Sequence, residues 1–441
     1  MCAHAQARVL CEGYGRLAAT VNMDVALYEP ATSIVAPTDE DRSRANTRAS
    51  MIFFHIALFA CFCLQRFCLY IGDSPVYFAL PIFLALLGWL LATGRAAVSA
   101  TVMPLFGLVV VVGIASSLFA LNLYDRRIGT ISPISLFALL VIYVGLTVRP
   151  TARFDTRRGF DVFIFYIRLC AIAGIAQYLA QFAGIRLFSF MLAVPALKPI
   201  LAEPLFNYQP IVAYGSSILR SNGFFLVEPS VFSQLLMLGI IVDVFVRREW
   251  RYLPLYGVAY LFTYAGTGAL SLGVAALLFL LVAPARSPRI LLFALLALML
   301  AGVGAVAFPD QFGQLAGRSD ELSYSGSSGY ARYMNQFVIV GAISNETRTL
   351  IGFGPGALER ATFFAEGGTS AALKLYVDYG ILGLISFSAF LVGALWRREI
   401  AFVSIFVLVN FQLGGGYLLF APMLVIGAIL CIWTAPYRRP G

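Results

Sequence analysis

The sequence predicts an all-α polytopic membrane protein with about twelve transmembrane helices and two large external loops. Its 441 residues are 60% hydrophobic and only 12% charged, and the mean hydropathy is +0.85. These values lie far from those of soluble globular chains. Long apolar runs recur along the sequence, and the arginines fall almost entirely in every second gap between them. A soluble protein is therefore excluded.

The apolar runs define the predicted spans, because a bilayer core of about 30 Å requires roughly 20 apolar residues per helix. In chain order the runs are 51–71, 75–92, 100–121, 128–148, 161–183, 231–246, 252–264, 269–281, 290–308, 372–396, 401–412 and 417–433. The seventh and eighth runs are short. One re-entrant hairpin would explain them, but their apolar flanks also allow two tilted spans, which we adopt.

Arginine placement predicts the orientation of these spans. Clusters precede the first run and follow the second, fourth, sixth, eighth, tenth and twelfth runs, and by the positive-inside rule these gaps and both termini are cytoplasmic. The short turn with Arg126 and Arg127 is the one clear exception. The cluster members are Arg42, Arg44, Arg48, Arg95, Arg149, Arg153, Arg157, Arg158, Arg247, Arg248, Arg251, Arg286, Arg289, Arg397, Arg398, Arg438 and Arg439.

The same pattern divides the chain into a cytoplasmic tail, 1–50, and a transmembrane domain, 51–436, with external loops at 184–230 and 309–371. The tail contains no apolar core of the signal-peptide type. The net charge of +9 is spread over short membrane-flanking gaps, so it indicates topology and not nucleic-acid binding. The cysteines lack the spacing of ligands, so we expect no disulfide and no metal site.

The second external loop contains a predicted amphipathic helix over 327–345, where apolar residues recur at helical spacing. A glycine turn follows, with Gly352, Gly354 and Gly356 allowing the backbone to approach another group closely. A P-loop is excluded, because no strand precedes the glycines and no Lys-Ser/Thr pair follows them. A plain tight turn is the favoured interpretation, and contact with a substrate is the alternative.

Four segments in fixed order resemble the O-antigen polymerase and ligase superfamily, with exopolysaccharide polymerases the nearest group. They are RSNGFFLVEPS at 220–230, GTG at 266–268, GFGPG at 352–356 with Arg332 before it, and LKLYVDYGILG at 373–383. The resemblance covers the motifs between Arg220 and Gly383 and the topology of the whole chain. Each motif alone is loose, and their order and loop placement carry the resemblance.

The resemblance implies a GT-C-like, metal-independent glycosyltransferase at the periplasmic face of the bacterial inner membrane, without cofactors or nucleotide-sugar sites. Polymerases of this superfamily transfer a growing glycan from undecaprenyl diphosphate onto the next lipid-linked repeat unit, and ligases transfer it to lipid A core. The implied partners are the undecaprenyl-diphosphate-linked oligosaccharide and the lipid bilayer, with a chain-length regulator as a further candidate.

External arginines are the predicted ligands of the lipid diphosphate, because a guanidinium group binds phosphate oxygens bidentately and keeps its charge. Arg220 and Arg332 lie in the motifs, so we assign them catalytic roles. For Arg318, Arg348 and Arg360 we retain substrate binding, although pairing with Glu346, Glu359 or Asp320 is the favoured interpretation.

Two carboxylates at the predicted outer boundary, Glu228 and Asp378, are candidates for activating the acceptor hydroxyl. A structural pair is at least as well supported for Asp378, which lies one helical turn after Lys374. For Glu228 the alternative is orientation of the arginines. Neither is assigned as the base.

Histidine content separates the alternatives within the superfamily. Ligases usually carry a histidine at the position aligned with Thr369, whereas His4 and His55 are the histidines of this chain. This favours a polymerase over a ligase, although a ligase with another base stays open. A flippase for lipid-linked oligosaccharide is the alternative from another class, but the sequence shows no two-fold repetition.

Three charged residues inside the apolar runs have simpler explanations than function. Arg66 and Arg168 lie towards the ends of their runs, where a long side chain can snorkel to the interface. Asp243 lies close to Arg247 and Arg248, so we expect it to pair with them.

Overall fold

A computed structural model describes residues 39–71, 74–122, 131–187, 194–202, 211–212, 216–282, 330, 334–343, 347–360, 370–413 and 418–435. The chain divides into two units, Met1–Arg44 and Ala45–Gly441. In the first unit the described residues form the beginning of a helix, and the second unit is mainly helical. The ninth apolar run, 290–308, lies outside the described residues.

Thirteen α-helices and four short strands are described. The helices are α1 Asp39–Phe62, α2 Ala79–Ala92, α3 Met103–Asn122, α4 Pro133–Val144, α5 Gly159–Ala180, α6 Pro229–Ile241, α7 Leu253–Leu261, α8 Thr267–Val282, α9 Asn335–Ile343, α10 Ala357–Arg360, α11 Ala371–Leu395, α12 Ala401–Leu413 and α13 Ala421–Ala428. Strands β1 Cys68–Ile71 and β2 Ser74–Tyr77 pair antiparallel, as do β3 Ala96–Val98 and β4 Val148–Pro150.

Five described helices are long and apolar enough to cross a membrane. They are Ser43–Phe62, Met103–Asn122, Gly159–Ala183, Pro229–Arg247 and Ala371–Leu395, and the shorter apolar helices are Ala79–Ala92, Pro133–Thr147, Thr267–Val282 and Ala421–Trp433. The prediction of a helical chain is confirmed, and its apolar helices are those of a membrane protein. Twelve spans and a GT-C-like architecture stay predictions.

The predicted boundary between the first two spans is wrong. Helix α1 begins within the predicted tail and ends at Phe62, and the chain then forms the hairpin of β1 and β2. Gln65 and Arg66 follow the end of the helix, and their side chains bind a distant segment of backbone at Leu226 and Val227. Hydropathy alone does not distinguish such an apolar hairpin from the end of a helix.

The seventh run forms a short helix. Helix α7 has nine residues, which is about 13 Å of helix and less than half of a bilayer core. Helix α8 has sixteen residues, and the choice between two tilted spans and a re-entrant hairpin stays a prediction. Gly268 allows α8 to approach α6 closely, since a Cβ atom there would lie 2.5 Å from the carbonyl oxygen of Ser233.

Several of the described arginine-bearing gaps lie together in the structure. Hydrogen bonds join them as follows: Ser50 with Asp155, Arg95 with Thr151, Arg149 with Ala394, Arg397 with Thr434, and Thr156 with Ala435. Gaps that the charge pattern assigns to one side of the membrane are thus neighbours. Which side they face stays a prediction.

A buried ionic cluster joins α5 to the end of α6. Asp243 is fully buried and accepts hydrogen bonds from Arg168 at 2.8 Å, Arg247 at 3.0 Å and the Tyr256 hydroxyl at 2.7 Å. Arg168 also pairs with Glu249 at 3.2 Å. The expected pairing of Asp243 with Arg247 is present. Arg168 binds side chains of the protein, one of which, Glu249, lies in the arginine-bearing gap after the sixth run, and its snorkelling stays a prediction.

Candidate functional site

The first motif forms an irregular turn, Leu219–Glu228, which we call the polar turn. It leads into α6, where Glu228 precedes the helix and Pro229 occupies its first position, a place where proline loses no helical hydrogen bond. Gly223 and Phe224 both have positive φ, 72° and 66°. Because a bulky residue rarely adopts this conformation, its surroundings must hold the turn in place.

Gln177 of α5 holds the middle of the polar turn. It is fully buried, and its Oε1 accepts hydrogen bonds from the backbone N–H groups of Asn222 at 3.2 Å and Phe224 at 3.3 Å. The same oxygen accepts from the Ser221 hydroxyl at 3.2 Å, and Nε2 donates to Asn222 Oδ1 at 2.9 Å. One side chain therefore satisfies polar groups of two consecutive residues, Ser221 and Asn222, and of Phe224 beyond them.

Glutamines at both ends of the polar turn act in the same way. Gln181, one helical turn after Gln177, accepts from the N–H of Leu219 at 2.9 Å. Gln65, after α1, accepts from the N–H of Val227 at 3.0 Å. Buried irregular backbone requires such partners, because an unpaired buried N–H group is costly.

Arg66 binds the polar turn and does not reach the interface. Its side chain is 1% exposed, and Nε donates to the carbonyl oxygen of Leu226 at 3.1 Å. Its own carbonyl oxygen accepts from Ala202 N–H at 2.9 Å. The prediction of snorkelling is wrong for Arg66, because its side chain is buried in the protein and binds the backbone carbonyl of Leu226.

The structure places Arg220 and Glu228 at opposite ends of this turn. Both are partly buried, and Ser230 donates to Glu228 Oε2 at 2.7 Å. The second motif is close by, since Thr267 Oγ1 lies 3.1 Å from Ser233 Oγ on α6. Arg332 and Arg318 lie outside the described residues, so their proximity to Arg220 stays a prediction.

The third and fourth motifs form a second cluster. Gly352, Gly354 and Gly356 have φ of 87°, 94° and 72°, a region that favours glycine. At Gly352 a Cβ atom would lie 2.5 Å from the carbonyl oxygen of Asp378. The close backbone approach expected of these glycines is therefore to α11, at the point where Gly380 interrupts that helix with φ 70°.

Asp378 anchors the glycine turn. Its carboxylate is fully buried and accepts from the N–H groups of Gly356 and Leu358, each at 3.0 Å. Lys374 Nζ donates to Asp378 Oδ2 at 2.8 Å and to Glu359 Oε2 at 2.7 Å. The structural pair considered for Asp378 is thus present.

The amide groups of the glycine turn are occupied by protein acceptors. Besides the two bound by Asp378 side-chain oxygens, Gly352 N–H donates to the Arg348 carbonyl and Gly354 N–H to the Asp378 carbonyl, at 2.6 and 2.9 Å. In this conformation they cannot cradle a phosphate. This favours a structural assignment for Gly352, Gly354 and Gly356, and their contact with a substrate stays a prediction.

Arg348 and Arg360 both contact the glycine turn. Glu359 pairs with Lys374, while Arg360 Nη2 donates to the Pro355 carbonyl at 2.8 Å. The Arg348 guanidinium lies 5.4 Å from the ring centroid of Phe353. These contacts place both cations beside the glycine turn and leave their role in substrate binding a prediction.

The three glutamines are the residues that sequence reasoning missed. A signal was present for two of them, because Gln177 and Gln181 are uncharged polar residues one helical turn apart in an apolar run. Polar side chains in a membrane helix usually face the protein interior.

Comparison with protein-family models finds no match, and comparison with curated proteins finds none either.

Proposed function

We propose that this protein is a polysaccharide polymerase that joins undecaprenyl-diphosphate-linked repeat units at the periplasmic face of the bacterial inner membrane. The observation that carries the proposal is the resemblance of four ordered motifs to the O-antigen polymerase superfamily. In the structure the first and second motifs adjoin each other, and so do the third and fourth. Segments that are distant in sequence but adjacent in the fold are expected of motifs that form one site.

The chemistry needs cations at the leaving diphosphate and a carboxylate near the attacking hydroxyl. Arg220 and Arg332 would bind the diphosphate oxygens and stabilise the negative charge that develops as it leaves. Of the two candidate carboxylates, Glu228 is the better base. Asp378 already accepts three hydrogen bonds and is fully buried, so protonating it would release the glycine turn.

The experiment is elongation of lipid-linked repeat units by purified protein in the presence of a chelator and without nucleotide sugars. We expect polymer to form, since departure of the lipid diphosphate supplies the free energy for the transfer. Activity that is lost in the chelator and restored by a divalent ion would contradict the proposal. Transport of intact units without new glycosidic bonds would instead support the flippase.

A further inference from the structure

The polar turn depends on glutamine side chains from α5 and from the segment that follows α1. Gln177 accepts from the N–H groups of Asn222 and Phe224, and Gln65 accepts from that of Val227. Both glutamines are fully buried. A buried donor that loses its acceptor retains the full desolvation cost, so the turn would change conformation if either oxygen were removed.

These contacts lie directly beside the two charged ends of the turn. Asn222, bound by Gln177, is two residues from Arg220, and Val227, bound by Gln65, immediately precedes Glu228. A displacement of the backbone at either contact is therefore transmitted to a charged side chain. Charges that stabilise a transition state act only if they are held in place before the reaction.

We propose that Gln177 and Gln65 are positioning residues for the transfer reaction, Gln177 for Arg220 and Gln65 for Glu228. The inference rests on the proposed function, because it assigns these glutamines a role in the same site. Neither glutamine touches the substrate. Their loss lowers kcat, whereas KM for the lipid-linked unit changes little.

The test compares methionine and glutamate variants of each glutamine. Methionine matches glutamine in length but removes the acceptor, so Gln177→Met and Gln65→Met are expected to lower kcat by about 10- to 100-fold, the scale of a small misplacement. Gln65→Glu keeps the acceptor oxygen, and burial favours the protonated carboxyl, whose O–H can replace the Nε2 bond to the Cys61 carbonyl. Gln65→Glu should therefore retain most of the wild-type kcat, and the kcat of Gln177→Glu should exceed that of Gln177→Met.

Gln412→Met is the matched control. Gln412 lies in α12, and its Nε2 donates to Ser388 Oγ at 3.4 Å, away from the polar turn. We expect wild-type kcat from this variant. Hydrogen exchange should accelerate at Leu219–Val227 in the two turn variants while the interior of α6 stays protected, which separates a moved turn from an unfolded protein.

The outcomes separate the two proposals. Wild-type protein that forms no polymer overturns the proposed function, and this inference with it. Active wild type with unchanged kcat in both folded methionine variants overturns the inference alone. A loss of activity that glutamate fails to restore, accompanied by exchange throughout α5 and α6, also overturns it, because the glutamines would then serve only the stability of the fold.

Discussion

At the scale of single residues, the two candidate carboxylates differ in what surrounds them. Asp378 is enclosed by backbone donors and Lys374, whereas Glu228 lies partly exposed at the start of α6. The sequence could not separate them, since both lie beside arginine-bearing loops at predicted membrane boundaries. Only the folded chain brings the glycine turn onto Asp378 from twenty residues away.

Lysine substitution tests the arginines of the proposed site. Arg220→Lys and Arg332→Lys keep the charge but remove the planar fork, so we expect activity to fall by about 10² to 10³ in rate. Arg251→Lys is the control, because its partner Glu249 lies 3.8 Å away and its side chain is 72% exposed. The measurement is polymer length on gels, compared among the variants at matched membrane expression. Full-length polymer from both site variants would eliminate the proposed site.

Alanine at Gly352 tests the structural assignment of the glycine turn. The added Cβ would meet the Asp378 backbone, and the left-handed conformation costs about 1–2 kcal/mol for a residue other than glycine. We expect a lower melting temperature for Gly352→Ala in detergent. Gly88→Ala, in helix α2 with open space around the new Cβ, should be neutral or stabilising by up to about 1 kcal/mol. Equal melting temperatures would reject the assignment.

At the scale of elements, apolar run length predicted the ends of the long helices α6 and α11 well. Helix α11 begins and ends within one residue of the run 372–396, and α6 with its continuation to Arg247 matches the run 231–246. The hairpin of β1 and β2 was missed because Gln65 and Arg66 bind the polar turn, a contact across about 160 residues of sequence. Local pattern carries no information about such a partner.

The cluster around Asp243 joins α5, α6 and α7 and gives a stability prediction. Asp243→Asn leaves Arg168 and Arg247 without their shared buried carboxylate, and breaking a buried pair costs about 3–5 kcal/mol. Asp161→Asn removes only a contact to Arg247 from a side chain that is 43% exposed, so it should cost roughly 0–1 kcal/mol. Thermal unfolding in detergent compares the two. A smaller loss for Asp243→Asn than for Asp161→Asn would show that the cluster does not anchor these helices.

At the scale of the whole molecule, charge pattern and contacts agree on which gaps belong together. The positive-inside rule groups the gaps by their arginines, and hydrogen bonds join Arg95 to Thr151 and Arg397 to Thr434. These observations are independent, since one uses composition and the other geometry. The motif-bearing polar turn is bonded instead to Arg66 and Gln181, near the opposite ends of their apolar runs.

Reporter fusions determine which side of the membrane these gaps face. Fusions at Arg153, Arg248 and Arg397 should report the cytoplasm, because each lies in an arginine-bearing gap that the membrane potential and the insertion machinery retain inside. Fusions at Pro199 and Gly326 should report the periplasm, where a lipid-linked glycan would be polymerised. The first three positions act as mutual controls, since they follow different spans. A cytoplasmic signal at Gly326 would place the second loop on the wrong side for the proposed reaction, even if every helix described above were correct.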